Sequence, residues 1–267
     1  MSNLALRALS AVVALPLLGA LVLWRQPLGF GALVLVVVGL ASREFAAIML
    51  SGASGWVRRG VVALGVGLAA GLYLAPAQAM AWSVVAFLAI STLVLLEPGE
   101  IPGAAARLGI STFGVFYLGF LGPPLALLQR DAPHGRGWVL LAVGVTFGND
   151  AGAYFAGRAF GRRKLYPAVS PAKTVEGALG GLVAALAILL GVRFSLARWL
   201  TVADCLLVAL PAGVLGPAGD LVESLLKRSA GVKDSGHLIP GHGGMLDRID
   251  ALLFVAAWIY LYVTFIR

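Results

Sequence analysis

Long apolar runs alternate with short polar breaks along this chain, and nine of the runs approach the roughly 20 mostly apolar residues that a helix needs to cross a bilayer. They fall at about 5–24, 28–50, 59–76, 79–96, 108–128, 138–160, 176–192, 203–226 and 250–266. The first follows Arg7 as a signal peptide would, but it is long and lacks a small-x-small cleavage site before Trp24 and Arg25. An uncleaved span is the expectation there. The pattern therefore predicts an all-α, polytopic membrane protein with about nine transmembrane helices.

Basic residues orient those spans. With a cytoplasmic N-terminus, Arg25, Arg130, Arg136, Arg193, Arg198 and Arg267 fall on the outer side and the other fourteen Lys and Arg on the inner side. The positive-inside rule favours that direction, with the C-terminus outside.

Composition agrees. The chain is 60% hydrophobic and 12% charged, whereas soluble domains carry about 25% charged residues. An ordinary cytosolic globule, a disordered chain and a disulfide scaffold are all excluded. Cys205 is the single cysteine, so no intrachain disulfide can form. The 35 glycines suit closely packed transmembrane helices. A net charge of +8 fits anchored cytoplasmic loops and also an anionic substrate, and nothing points to nucleic acid.

Polar residues are unevenly spread. Residues 1–137, about five spans, read as a lipid-facing scaffold, and 138–267 as the catalytic half with cytoplasmic active-site loops. Arg43–Glu44 is the exception in the first half, either a local ion pair reaching the interface or a support for an active site. His134 reads as a solvated residue of an outer loop.

Ionisable groups in lipid are costly and mark functional sites. Asn149 and Asp150 stand mid-way along the sixth run, behind a stripe of Gly144, Gly148 and Gly152 that lets another helix approach. They either serve a cation or proton or bridge helices. Arg162, Arg163 and Lys164 then anchor the inner surface or bind substrate. In SPAKTVEG, Ser170 fits an N-cap and Pro171 a first helical position. Lys173 and Thr174 would lie in the first turn, where free N–H groups favour an anion such as phosphate. Glu176 suits that turn electrostatically.

Asp220, Glu223, Ser224 and Lys227 share one face of the eighth span by their i, i+3, i+4, i+7 spacing, with Asp220 about a turn inside the membrane. A Glu223–Lys227 ladder would leave Asp220 unexplained. The next loop holds Lys233, Asp234, His237 and His242, and its Pro240–Gly244 run can bring backbone close to a ligand. MLDRID follows, with Asp247 and Asp250 flanking Arg248. One of these acids could cap the helix; together with Asp220 they suit a hard cation such as Mg²⁺.

The 27 residues from Ser224 to Asp250, with NDAGAYFAG and SPAKTVEG upstream, resemble the signature of phosphatidate cytidylyltransferases, also called CDP-diacylglycerol synthases. Ala151 and Ala172 depart from it, standing where threonine and a second lysine are common. The resemblance implies cytidylyl transfer from CTP to phosphatidic acid, giving CDP-diacylglycerol and pyrophosphate, with Mg²⁺ and room for a second cation. On that reading Asp220, Asp247, Lys227 and Asp250 are catalytic. Asp220, Asp247, Asp250 and Asp150 hold metal. Lys173, Thr174, Ser224, Arg228, Lys233, Asp234, His242, Arg248 and Asn149 bind substrate. The lipid phosphate is itself the nucleophile, so no covalent enzyme intermediate is needed. The bacterial inner membrane is the expected location, with the active site facing the cytoplasm, lipid tails between spans, and a homodimer open through the glycine-rich faces. The alternatives are a CTP-dependent enzyme acting on an isoprenoid lipid and an ion-coupled transporter.

Overall fold

A computed structural model describes residues 16, 19–24, 26–236, 238 and 243–267. The expected span at 5–24 lies largely outside the described residues, and His237 and His242 lie wholly outside them. Each of the other eight expected runs is a helix, or a pair of helices in line, long and apolar enough to cross a membrane. They are α1 (Pro27–Met49), α2 (Gly55–Leu74), α3 (Ala79–Leu96), α4 (Ala104–Leu121) with α5 (Pro123–Asp131), α6 (Gly135–Phe160), α7 (Val175–Ser195), α8 (Val202–Ser229) and α9 (Leu246–Leu261), which a short π-helical turn extends over Tyr262–Ile266. The chain is an all-α polytopic membrane protein. Lipid offers backbone no hydrogen-bonding partner, so a spanning segment must satisfy its own N–H and C=O groups, and helices do that.

Proline marks the irregularities. The run expected at 108–128 is interrupted between α4 and α5, where Pro123 and Pro124 have no N–H to continue the ladder. Pro211 and Pro217 instead lie inside a continuous α8. Pro211 leaves the carbonyl of Leu207, four residues back, without its helical donor. The Trp258 indole on α9 donates to that carbonyl at 3.0 Å.

The described chain forms two compact units. One comprises the chain up to Leu127 together with Ser229–Arg248. Its core joins Ala46 and Leu50 of α1, Val57, Val61, Leu68 and Leu72 of α2, Ala86, Ile90 and Val94 of α3, and Val115 of α4. Glycines set the approach: Gly31 leaves room for the Tyr73 ring, whose hydroxyl donates to Pro27 O at 3.1 Å, and Gly114 leaves room for Phe45.

The other unit comprises Leu128–Arg228 and Ile249–Arg267. Here α6 and α7 lie against each other along Gly148, which faces Ile188, and Gly152, where an added Cβ would meet Ala184 and the Gly180 carbonyl. The glycine stripe read from the sequence is thus a helix contact at two of its three positions; Gly144 has open space around it. At one end of the unit Trp138 is fully buried against Trp199 and Tyr262. The Tyr262 hydroxyl donates to buried Asp204 at 2.5 Å, beside Arg267.

One local expectation is corrected. SPAKTVEG does not open a helix at Ser170; Lys164–Tyr166 and Ser170–Thr174 form an antiparallel two-stranded hairpin (β1 and β2), and α7 begins at Val175. Thr174 is the N-cap, its side chain accepting from Gly177 N at 3.1 Å. Lys173 therefore sits on β2, outside the first helical turn. Pro171 is tolerated on this two-stranded ladder because an edge strand needs no donor at every position.

Candidate active site

The hairpin and three helices of the second unit enclose a cavity of about 500 Å³. α6 supplies Asp150, Ala153, Tyr154, Gly157 and Arg158 to its lining; the hairpin gives Leu165, Ala172, Lys173 and Thr174; α7 gives Gly177 and Ala178; α8 gives Pro217 and Asp220. The wall joins two acids and two bases to apolar and small side chains. Asp150, Tyr154 and Arg158 recur every four residues, so they share one helix face, and Arg158 Nη1 donates to the Tyr154 hydroxyl at 3.2 Å. Tyr154 and Arg158 were not singled out from the sequence, although that spacing from Asp150 was there to be read.

Lys173 is the strand's contribution. Its Nζ lies 2.9 Å from Asp220 Oδ2 and 3.5 Å from the Pro217 carbonyl, so a cation rests against α8 at the cavity wall. The other oxygen of Asp220 accepts from Ser224 Oγ at 3.2 Å, one helical turn on. The face predicted for Asp220, Glu223, Ser224 and Lys227 is real. Lys227 pairs with fully buried Glu223 at 2.5 Å, so the ladder considered from the sequence forms while Asp220 pairs elsewhere. Asp250, partly buried on α9, lies within electrostatic reach of Asp220, Asp150 and Lys227. Arg228 Nε donates to Val169 O at 3.4 Å, tying the end of α8 to the hairpin turn. Glu176 accepts from the main-chain N–H groups of Arg162 and Arg163, which holds the start of the hairpin to α7.

Asn149 faces elsewhere. It is 1% exposed, and its amide sits where Gly181 of α7 and Gly216 of α8 leave room, with neither side-chain atom hydrogen-bonded among the described residues. Its neighbour Asp150 is the one that reaches the cavity.

Asp247 belongs to the other unit and to a different cluster. Its Oδ2 accepts from Ser235 N at 3.0 Å, Ser235 Oγ at 2.9 Å and Gly244 N at 2.8 Å. Glu44, near the end of α1, receives the Met245 N–H at 2.9 Å and the Leu246 N–H at 2.8 Å, and its Oε2 lies 3.0 Å from Ser235 Oγ, whose one proton serves this carboxylate or that of Asp247. Lys233, Asp234 and Arg248 of the same segment are exposed. The Glu44 carboxylate is thus tied to the signature segment, a contact that neither reading from the sequence had specified.

The cavity's donors suit a hard cation. Among the described residues no three His, Cys, Asp or Glu side chains stand close enough to cage an ion. Mg²⁺ does not require a cage, since it is commonly held by one or two carboxylates with water and substrate phosphate completing its shell. Asp150 and Asp220, both on the cavity wall, match that demand.

Comparison with known proteins extends the picture. Residues 5–266 match the model of the cytidylyltransferase family. A phosphatidate cytidylyltransferase of Bacillus subtilis (strain 168) is 42% identical over 156 residues, 58% of this chain and 57% of that protein. One of Brucella suis biovar 1 is 43% identical over 160 residues, 56% of this chain and 55% of its own length. One of Haemophilus influenzae is 43% identical over 146 residues, 53% of this chain and 51% of its own. Each match thus spans little more than half of the relative. With a family match running through nearly every helix, the chain belongs to the cytidylyltransferase family.

Proposed function

We propose that this chain transfers the cytidylyl group of CTP to phosphatidic acid, releasing pyrophosphate and leaving CDP-diacylglycerol in the bilayer. The observation that carries this reading is the Lys173–Asp220 pair on the wall of a cavity built by membrane-length helices. A lipid phosphate and a water-soluble triphosphate have opposite solubilities. They can meet only where charged groups stand beside apolar surface, and this cavity sets Lys173 and Arg158 beside Leu165, Ala153 and Ala178. The names of the relatives point to the same substrate class.

The chemistry is an in-line displacement. A phosphate oxygen of phosphatidic acid forms a new bond to the α-phosphorus of CTP as the bond to the β-phosphate bridging oxygen breaks, and that oxygen leaves with pyrophosphate. Both reactants are anions, so the protein's work is charge neutralisation and alignment. Lys173 and Arg158 hold phosphate oxygens at the cavity wall, and Lys227 and Arg228 extend the basic surface along α8. Tyr154 orients the Arg158 guanidinium through its hydroxyl. Asp220 and Asp150, with Asp250 in support, are the residues that would hold Mg²⁺. Bound there, the ion supplies charge neutralisation for the triphosphate and the departing pyrophosphate. CTP enters from the cytoplasm and the lipid from the inner leaflet of a bacterial inner membrane.

The test uses purified chain in detergent with cytidine-labelled CTP, Mg²⁺ and phosphatidic acid. The expected result is label in the lipid-soluble fraction and stoichiometric pyrophosphate, lost when any one component is omitted. No lipid label, or label only when an isoprenoid phosphate replaces phosphatidic acid, overturns the assignment.

A further inference from the structure

We infer that Glu44 is a positioning residue for the reaction, acting through Asp247; this role rests on the cytidylyl-transfer reading above and on the catalytic part that the family resemblance implies for Asp247. Glu44 lies on α1, 201 residues from Met245 and 202 from Leu246, yet its two carboxylate oxygens receive both of those main-chain N–H groups. They are among the unpaired donors at the start of α9, and a carboxylate is the favoured partner for a helix N-terminus. Oε2 also lies 3.0 Å from Ser235 Oγ, which itself lies 2.9 Å from Asp247 Oδ2. One hydroxyl thus stands between two carboxylates, and Asp247 Oδ2 is further held by the N–H groups of Ser235 and Gly244.

The packing leaves no slack. A Cβ at Gly236 would lie 2.7 Å from Glu44 Oε1, and one at Gly244 would collide with Ser235 Oγ and Glu44 Oε2. Gly243 takes φ +81°, a conformation natural to glycine, and so turns the chain toward Asp247. The segment is therefore moulded around the Glu44 carboxylate. A charged side chain at this point of α1 does more than end a span: it fixes the rotation of the first α9 turn and the direction of the Asp247 carboxylate. Losing it loosens Asp247 without removing any group that touches substrate.

The experiment uses the full chain in membranes or detergent, with Glu44→Gln, Glu44→Asp and Ser235→Ala. Glu44→Gln replaces one acceptor oxygen with a donor that opposes a main-chain N–H. Its kcat should fall at least about tenfold, the scale of a lost charge-assisted hydrogen bond. The KM for CTP and for phosphatidic acid should stay within about twofold. The peptide covering residues 243–248 should exchange its amide hydrogens at least about tenfold faster, with α2–α4 unchanged. Glu44→Asp should recover part of kcat, and Ser235→Ala, which keeps both Glu44–amide bonds, should shift kcat and exchange in the same direction by less. Wild-type kcat in both Glu44→Gln and Ser235→Ala, or unchanged exchange at 243–248, overturns the role. Should Glu44→Gln fail to accumulate, Ser235→Ala alone decides by the same two readouts. A wild-type chain that makes no lipid-soluble cytidine product overturns the function and this role together, whereas a working wild type with indifferent variants overturns this role alone.

Discussion

Lys173 and Asp220 neutralise each other, and their half-buried setting makes each conditional on the other. Removing one partner of such a pair leaves the remaining charge uncompensated. Asp220→Asn keeps the shape of the side chain and a partner for Ser224 but loses the charge. Turnover should fall roughly 10²-fold or more, the scale of deleting a charge-stabilising group at a reacting phosphate, with abundance in the membrane unchanged. Near-normal cytidylyl transfer would leave Asp220 a structural role only. Lys173→Ala should raise the KM for CTP or for phosphatidic acid, and the kinetics with each varied in turn will say which phosphate it holds. Unchanged values for both would refute its contact with substrate. Asp220 is legible in sequence because an ionisable group in an apolar run is costly and needs a reason, whereas Lys173 was read from a helix start that the structure replaces with a strand. Glu44 is not legible in the same way. Its partners lie some 200 residues away, and nothing in its neighbours distinguishes an interfacial ion pair from a clamp on a distant loop.

At the scale of elements, the apolar pattern located the helices well and misplaced one start. Pro171 invited a helix at Ser170, but Thr174 supplies a cap four residues later, and its hydroxyl bonds the Gly177 N–H. Losing that cap in Thr174→Ala should cost about 1 kcal/mol. A lower melting temperature in detergent should report it, with kcat falling as Lys173 on the adjoining strand loses its anchor. Helix approach makes a second prediction. A Cβ at Gly219 would lie 2.5 Å from the Asp250 carbonyl and 2.9 Å from Phe254. Gly219→Ala should therefore force α8 and α9 apart and destabilise by about 1–3 kcal/mol, the usual penalty of overpacking. Gly144→Ala is the control, since open space surrounds Gly144 and its melting temperature should hold or rise. The sequence offered all these glycines as equal candidates for close packing. Which ones carry a neighbouring helix depends on helix rotation, and a four-residue spacing constrains that only within one helix.

For the molecule as a whole, the proposed role of Asp150 and Asp220, two carboxylates that would hold Mg²⁺ without caging it, predicts that activity depends on the free cation. Chelation with EDTA should abolish product formation in the purified chain, and excess Mg²⁺ should restore it. Full activity in chelator would remove Asp150, Asp220 and Asp250 from the metal-holding role assigned to them. Class, the placement of eight of the nine expected spans, and family were readable from the linear chain, and the reason is physical. Lipid charges so heavily for exposed backbone and for polar side chains that long apolar runs must be helices, and the few polar exceptions stand out. The turn-rich signature from Ser224 to Asp250 was readable for a related reason, since close backbone contacts demand particular residue types at particular spacings. Only the tertiary structure decided which distant polar groups meet: Lys173 with Asp220 at the cavity, Asn149 at the α6–α7–α8 junction, and Glu44 with the Ser235–Asp247 segment. Those pairings follow from how far each helix is rotated and how closely glycines let it approach. Side chains from some 30 to some 200 residues apart set both, and no local window contains them.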